Sequence, residues 1–234
     1  KNSAIQRAFF VDGKLPYSEL AMVDFNRVWV NGAYEEYTDE NGIVVRKWDK
    51  DNQGNDLKPS PIEQPEWCTH GLYDTNGYIS DEMSIYLEAG QHTLTLLSMR
   101  EPMLLRSITL SNHSRPAAYA DVKAAGVSVR FEAENAVKTS SQMLYPVQDQ
   151  SSAVVYPMSA RYLLNNSIGS SWKNAGQWIE WAFEVPQDGY YEISMVDKQN
   201  FVRGIDVYRK IMIDGEVPFA EFNAQPFSYT QTWR

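Results

Sequence analysis

The sequence predicts an all-β protein, and three observations carry that prediction. Apolar residues recur at every second position in several stretches, and Asp-Gly and Pro/Gly turns punctuate those stretches. No long run has the 3.6-residue apolar spacing of an amphipathic helix.

Taken in order, AFFVDGKLPYSEL (8–20) is an apolar run with a turn at Asp12-Gly13. DEMSIYLEAGQHTLTLLS (81–98) reads as two strands about a Glu88-Ala89-Gly90 turn. Ile85 and Leu87 alternate before it, and Leu94 and Leu96 after it. LLRSITLSN (104–112) continues as a further strand. Pro116 and the small residues that follow mark 116–126 as a linker. VSVRFEAENA (127–136) alternates again. QWIEWAFEVPQDGYYEISMVDKQ (177–199) is the clearest hairpin pattern: Ile179, Trp181, Phe183 and Val185 share one face, Pro186 to Gly189 turn, and Tyr191, Ile193 and Met195 share a face on the return. The segment 33–80 differs, being rich in Asp, Asn, Gly and Pro, with Trp48, Trp67, Tyr73 and Tyr78 spread through it. Long excursions of this kind carry function or disorder, and the aromatics predict an ordered loop packed on the body.

Composition narrows the functions. With 234 residues, 43% hydrophobic and 22% charged, the chain has material for a sizeable core. A formal charge of −9 argues against nucleic acid, whose phosphates require a surplus of Lys and Arg, and against docking on anionic membranes. No apolar run is long enough to insert into a bilayer. The single Cys68 excludes an intrachain disulfide framework. The chain opens at Lys1 instead of Met, the sign of a processed or excised piece.

The most informative feature is an internal repeat. RAFFVDGKLPYSEL (7–20) matches RKIMIDGEVPFAEF (209–222): Arg7, Asp12, Gly13, Pro16 and Glu19 pair with Arg209, Asp214, Gly215, Pro218 and Glu221, each 202 residues on, and Phe25 keeps the same spacing to Phe227. The chain is therefore expected to start and stop inside repeat units. Residues 1–115 form the back half of one unit, 116–126 a linker, and 127–234 the front half of the next. Two half-units alone would leave apolar faces and strand edges open. The body is expected to be either a permuted sandwich or an assembly swapped between two copies of the chain.

FEAENA (131–136), AGQWIEWAFEVPQDGYYEISM (175–195) and IDGEVPF (213–219) together resemble galactose-binding-like carbohydrate-binding modules. With PSPIEQPEW (59–67) and YLEAGQHTLTLLSMREPMLLRSITL (86–110), the chain looks like the modules attached to extracellular solute-binding proteins of bacterial sugar ABC transporters. The resemblance implies a jelly-roll β-sandwich, a cell-surface or secreted address, and non-catalytic capture of an oligo- or polysaccharide.

It also places the site. Trp172, Tyr156 and Tyr162 lie where such modules have rim loops, so their rings are candidates to stack on a pyranose, with Asn165, Asn166 and Gln199 bonding its hydroxyls. Arg203 is a candidate fork for a carboxylate, and an ordinary salt bridge to Asp206, Asp214 or Glu216 is the plainer expectation. Aromatic rings also cap β cores, and Trp181, alternating with Ile179 and Phe183, reads as core. The residues call for no cofactor. Related modules hold a structural Ca²⁺ on an acidic pair, here Glu132 and Glu134, yet the third acid is absent and Arg106 stands in its strand, offering a salt bridge instead.

Enzyme signatures are missing. His70, His92 and His113 lack metal-ligand spacing, Cys68 near His70 does not by itself make a catalytic pair, and no nucleophile elbow or phosphate loop occurs. Two expectations from different classes follow: a sugar-binding module, or a structural and protein-interaction spacer that kept the sandwich without a sugar site.

Overall fold

A computed structural model describes residues 4–32, 34–112, 117–120 and 126–234. His113, Pro116 and most of the 116–126 linker lie outside the described residues. The protein is all-β: its strands are short and pair antiparallel in several small sheets, with three 3₁₀ turns and no α-helix among the described residues.

The largest strands are β1 (Ile5–Val11) and, after β2 (Val23–Phe25), β3 (Trp29–Asn31), β4 (Glu35–Thr38), β5 (Val44–Lys47) and β6 (Pro61–Glu63), the seventh, β7 (Leu94–Arg100). β1 lies between β2 and β7, with Phe9 opposite Leu96 and Val11 opposite Leu94. The second half supplies β8 (Lys138–Thr139), β9 (Val147–Gln148), β10 (Asn165–Ser167), β11 (Ile179–Glu180), β12 (Val207–Arg209) and β13 (Gln225–Phe227). One sheet joins the halves in the order β11-β8-β3-β6; β4-β5, β9-β10 and β12-β13 form separate ribbons.

Burial gathers in two clusters. Phe9, Leu20 and Val23 form the first, with Phe25, Leu72, Met83, Ile85 and Leu96 packed around them. Ala136, Leu144 and Ile179 form the second, against Ile168, Trp172 and Trp181. The 33–80 excursion is ordered: it holds three strands, buries Trp48 against Tyr34, and crosses to the second half through Lys210 over the Tyr73 ring at 4.4 Å.

The repeat is structural as well as sequential. Ile5 pairs with Phe25 and Arg7 with Val23; Val207 pairs with Phe227 and Arg209 with Gln225, the same register 202 residues on. Both Asp-Gly turns use positive φ at both residues, 48° and 72° at Asp12-Gly13 and 51° and 85° at Asp214-Gly215, the hairpin geometry that Asp-Gly admits at low cost. Each turn is closed by a reciprocal bridge, Val11 with Lys14 and Ile213 with Glu216. A 3₁₀ turn follows in both, at Ser18–Ala21 and Ala220–Ala224.

Four strand expectations are corrected. Residues 81–87 form no ladder strand, although Met83 and Ile85 pack on the first cluster. The 104–112 stretch forms no ladder strand, with Leu104 and Leu110 largely exposed. In 127–136 the chain turns 3₁₀ at Ala133–Asn135, so Glu132 and Glu134 do not share a strand face. The 177–199 hairpin is reduced to β11, which pairs with β8, and a single bridge residue at Tyr190, and Phe183, Val185, Ile193 and Met195 stay exposed. The reason is common to all four: alternation marks a segment able to present an apolar face, whereas a ladder also requires a second edge within hydrogen-bond reach.

Candidate functional site

The seven candidate residues fall in three places. The first surrounds the β9-β10 ribbon. Asn165 is buried; its backbone N–H donates to Asp56 Oδ2 at 2.8 Å and its amide to the Leu57 carbonyl at 2.9 Å. Asn166, also buried, donates to the carbonyls of Asp149 (2.8 Å) and Pro157 (3.0 Å) and accepts from the Asp149 N–H (2.8 Å). Irregular loops leave backbone groups without ladder partners, and buried amides satisfy them. Both asparagines are engaged inside the protein.

Tyr162 and Tyr156 flank this ribbon. The Tyr162 ring lies over Gly54, where a Cβ would come within 2.7 Å of it and where φ is +89°, so only glycine fits. The Tyr156 hydroxyl donates to Asp39 Oδ2 at 2.5 Å, and that bond with burial pushes the phenol up to about 12. Asp39 meanwhile closes its own turn by accepting from the N–H groups of Asn41 and Ile43. Burial pushes Asp149 up, yet hydrogen bonds from Lys198 and Ser151 outweigh it and bring the carboxyl down to about 2.

The second place belongs to Trp172. Its ring packs on the Ile179 cluster, its Nε1 donates to the Gln177 carbonyl at 2.9 Å, and the Arg209 guanidinium stands 4.3 Å from the ring centre. Trp181 packs on the same cluster and donates to the Ala133 carbonyl at 2.7 Å.

The third place is the loop 199–205. Gln199 is buried and turns inward: its Nε2 donates to the carbonyls of Val202 (3.1 Å) and Ile205 (3.0 Å), and its Oε1 accepts from the N–H groups of Phe201 and Val202. Gly204 completes the turn at φ +79°, and the Gln199 carbonyl accepts from Thr230. The loop is thereby closed on itself, and its outer surface presents Asn200, Arg203 and Phe201, whose ring is 73% exposed. Arg203 forms no salt bridge among the described residues, neither to Asp206 nor to Asp214 or Glu216. Sequence reasoning named Gln199 and Arg203 and missed Phe201; the available signal was an aromatic between an amide and an arginine directly after the last apolar alternation.

Glu132 and Glu134 have unequal surroundings. Glu132 is held by Arg130, with a 2.7 Å ion pair, and not by Arg106, which lies exposed. Burial raises its carboxyl, against the pull of Arg130. Glu134 is 2% exposed, neither of its oxygens has a partner, and burial pushes it to about 8. No group of three acidic, His or Cys side chains able to hold a metal occurs among the described residues. A calcium ion takes six to eight oxygens. One carboxylate already paired with arginine, beside another driven toward the neutral form, does not fit it.

Other reactive groups are also engaged. His92 bridges Asp12 (2.7 Å) and the Glu88 carbonyl (2.8 Å), and the Asp12 bond raises its pKa. His70 meets the edge of Phe25 and is lowered by burial. Burial and Glu66 push the Cys68 thiol up, away from the thiolate that nucleophilic chemistry requires. No helix among the described residues is long and apolar enough to cross a membrane.

Comparison with protein-family models, with curated proteins and with solved structures gave no match.

Proposed function

We propose that the protein is a non-catalytic carbohydrate-binding module of the jelly-roll, galactose-binding-like type, working at the bacterial cell surface beside a sugar-transport receptor. The observation that carries the reading is the loop 199–205. Its internal Gln199 fixes the backbone while Phe201, Asn200 and Arg203 point to solvent. An exposed ring supplies a stacking platform, and an amide and a guanidinium beside it supply directed donors for hydroxyls or a uronic carboxylate. A shallow site of this kind binds weakly; a Kd of ~0.1 mM corresponds to roughly −5.5 kcal/mol.

Screening the whole chain on a broad glycan array tests this. Phe201→Ala and Arg203→Ala each weaken the hits by about tenfold, roughly 1.4 kcal/mol. Gln199→Ala, which frees the loop backbone, weakens them as much without removing any ligand-facing group. A blank array from folded protein overturns the reading.

One observation favours the spacer alternative. Asn165 and Asn166 are consumed internally, and Trp172 has a guanidinium over its ring, so the rim expected to hold sugar is closed. On that alternative the module separates or joins other domains, and the array stays blank.

A further inference from the structure

One corner of the molecule is held by a histidine whose two ring nitrogens both face acceptors. β1 ends in the Asp12-Gly13 turn, and the chain comes back to that turn at Thr93, just before β7 begins. The Asp12 N–H donates to the Thr93 carbonyl at 2.9 Å. The Asp12 carboxylate accepts on Oδ1 from the Thr93 N–H at 2.8 Å and from the Thr93 hydroxyl at 3.2 Å. Its other oxygen, Oδ2, stands 2.7 Å from His92 Nδ1, and His92 Nε2 stands 2.8 Å from the Glu88 carbonyl. One imidazole thus joins the 88–91 turn to the Asp12-Gly13 turn.

Neither acceptor has a proton to give. A carbonyl has none, and Asp12 is held below the usual carboxylate range, first by the bond from His92 and then by the Thr93 N–H. A neutral imidazole carries one N–H and one bare nitrogen, so it serves only one of the two oxygens; the imidazolium serves both. The Asp12 bond above all, and then the Glu88 carbonyl, raise the imidazole above its ordinary value. The charged groups acting on the ring are both acidic, Asp12 across the corner and Glu88 on its own turn, and both favour the cation. The His92 side chain is 28% exposed, so the bulk solution sets its protonation.

We propose that His92 is a pH-operated latch: its imidazolium ties the 88–91 turn to the Asp12-Gly13 turn, and loss of one proton releases the Glu88 carbonyl and frees the 88–91 turn. The proton that remains stays with Asp12, the charged acceptor, whose bond is the stronger of the two. The freed turn joins the 81–87 stretch, with Met83 and Ile85 packed on the first cluster, to the start of β7. Because the group is raised in the folded state, the latch is closed below the ordinary value of 6.5 and opens as the pH climbs through the raised one. Solvent-exposed pairs contribute little to global stability, so the corner opens while the fold persists. The latch works whether or not the protein binds carbohydrate.

The test is an NMR titration of the full, ¹⁵N-labelled chain from about pH 5 to 9, with the His92 ring assigned by its loss in His92→Gln. At pH 6.5, where an unperturbed histidine is half-titrated, His92 is expected to be mostly doubly protonated, with its inflection above that of free histidine. Backbone signals of 88–92 are expected to move with the same inflection and to gain internal motion above it. Asp12→Asn removes the charge and leaves Asn-Gly, which suits the same turn, and it shifts the inflection down. The proposal is overturned by an inflection at or below that of free histidine, or by one that Asp12→Asn leaves unmoved. A backbone at 88–92 that stays still while His92 titrates overturns it too, since the ring then holds nothing shut.

Discussion

Stability falls as the pH is raised from about 5 to 8, and Glu134→Gln removes most of that fall. The Glu134 carboxyl is pushed to about 8 by burial, with Glu132 adding to the rise and Arg46 and Arg130 opposing it, whereas in the unfolded chain it titrates near 4.5. Between these values the folded state holds a proton that the unfolded state has released. Raising the pH therefore favours unfolding across this window, and the contribution is fully restored below it. At about 1.4 kcal/mol per unit, the window is worth up to ~5 kcal/mol, a melting-temperature change on the order of 10 °C. Glu132 shifts in the same sense, and His70, lowered by burial, works in the opposite sense as the pH falls below its unfolded value. The informative quantity is thus the difference between the two proteins in thermal melts from pH 5 to 8. Parallel curves mean that Glu134 has found partners and the assignment is wrong.

Leu20→Ala is expected to destabilise the protein by about 2–5 kcal/mol, because a fully buried leucine leaves both a transfer loss and a cavity. The repeat provides an internal control. Phe222, at the equivalent position, is only half-buried, lining a groove with Ile193, Met195 and Phe227, and Phe222→Ala is expected to cost roughly 1 kcal/mol even though phenylalanine is the larger side chain. Denaturant melts of the two variants measure the contrast. Equal losses mean that Phe222 is as fully covered in solution as Leu20.

What could be read from the sequence was local chemistry. The Asp-Gly turns were legible because positive φ at two successive residues restricts the choice of side chain so strongly. The repeat was legible because it reuses that turn with the arginine before it and the proline after it. β7 was legible too, its alternation being real and its partner β1 present. The stretches at 104–112 and 181–189 carry equally good alternation and form no ladder strand, since a pattern of side chains says nothing of where the complementary edge lies. At the site, the sequence points to Asn165, Asn166 and Gln199 as ligand-facing amides. Sequence shows that an amide is present but not which way it points, and irregular backbone around these three drew them inward. Phe201 carries no distinguishing signal in the sequence, because a lone aromatic after an alternating stretch resembles core until its burial is known.

The duplicated hairpin also bears on how the chain reaches its native state. A nascent β7 meets two edges of the same register and turn geometry, one roughly 90 residues behind it and the other roughly 115 ahead. Loop closure distinguishes them by only ~0.2 kcal/mol, so chain entropy does not choose. The choice rests on side chains: Phe9, Leu20 and Val23 offer β7 a tighter seat than Ile211, Phe222 and Gln225. Refolding should therefore partition between a correct and a transposed docking of one strand. The transposed fraction would reach the native arrangement by undocking, as a slow phase whose rate does not depend on protein concentration.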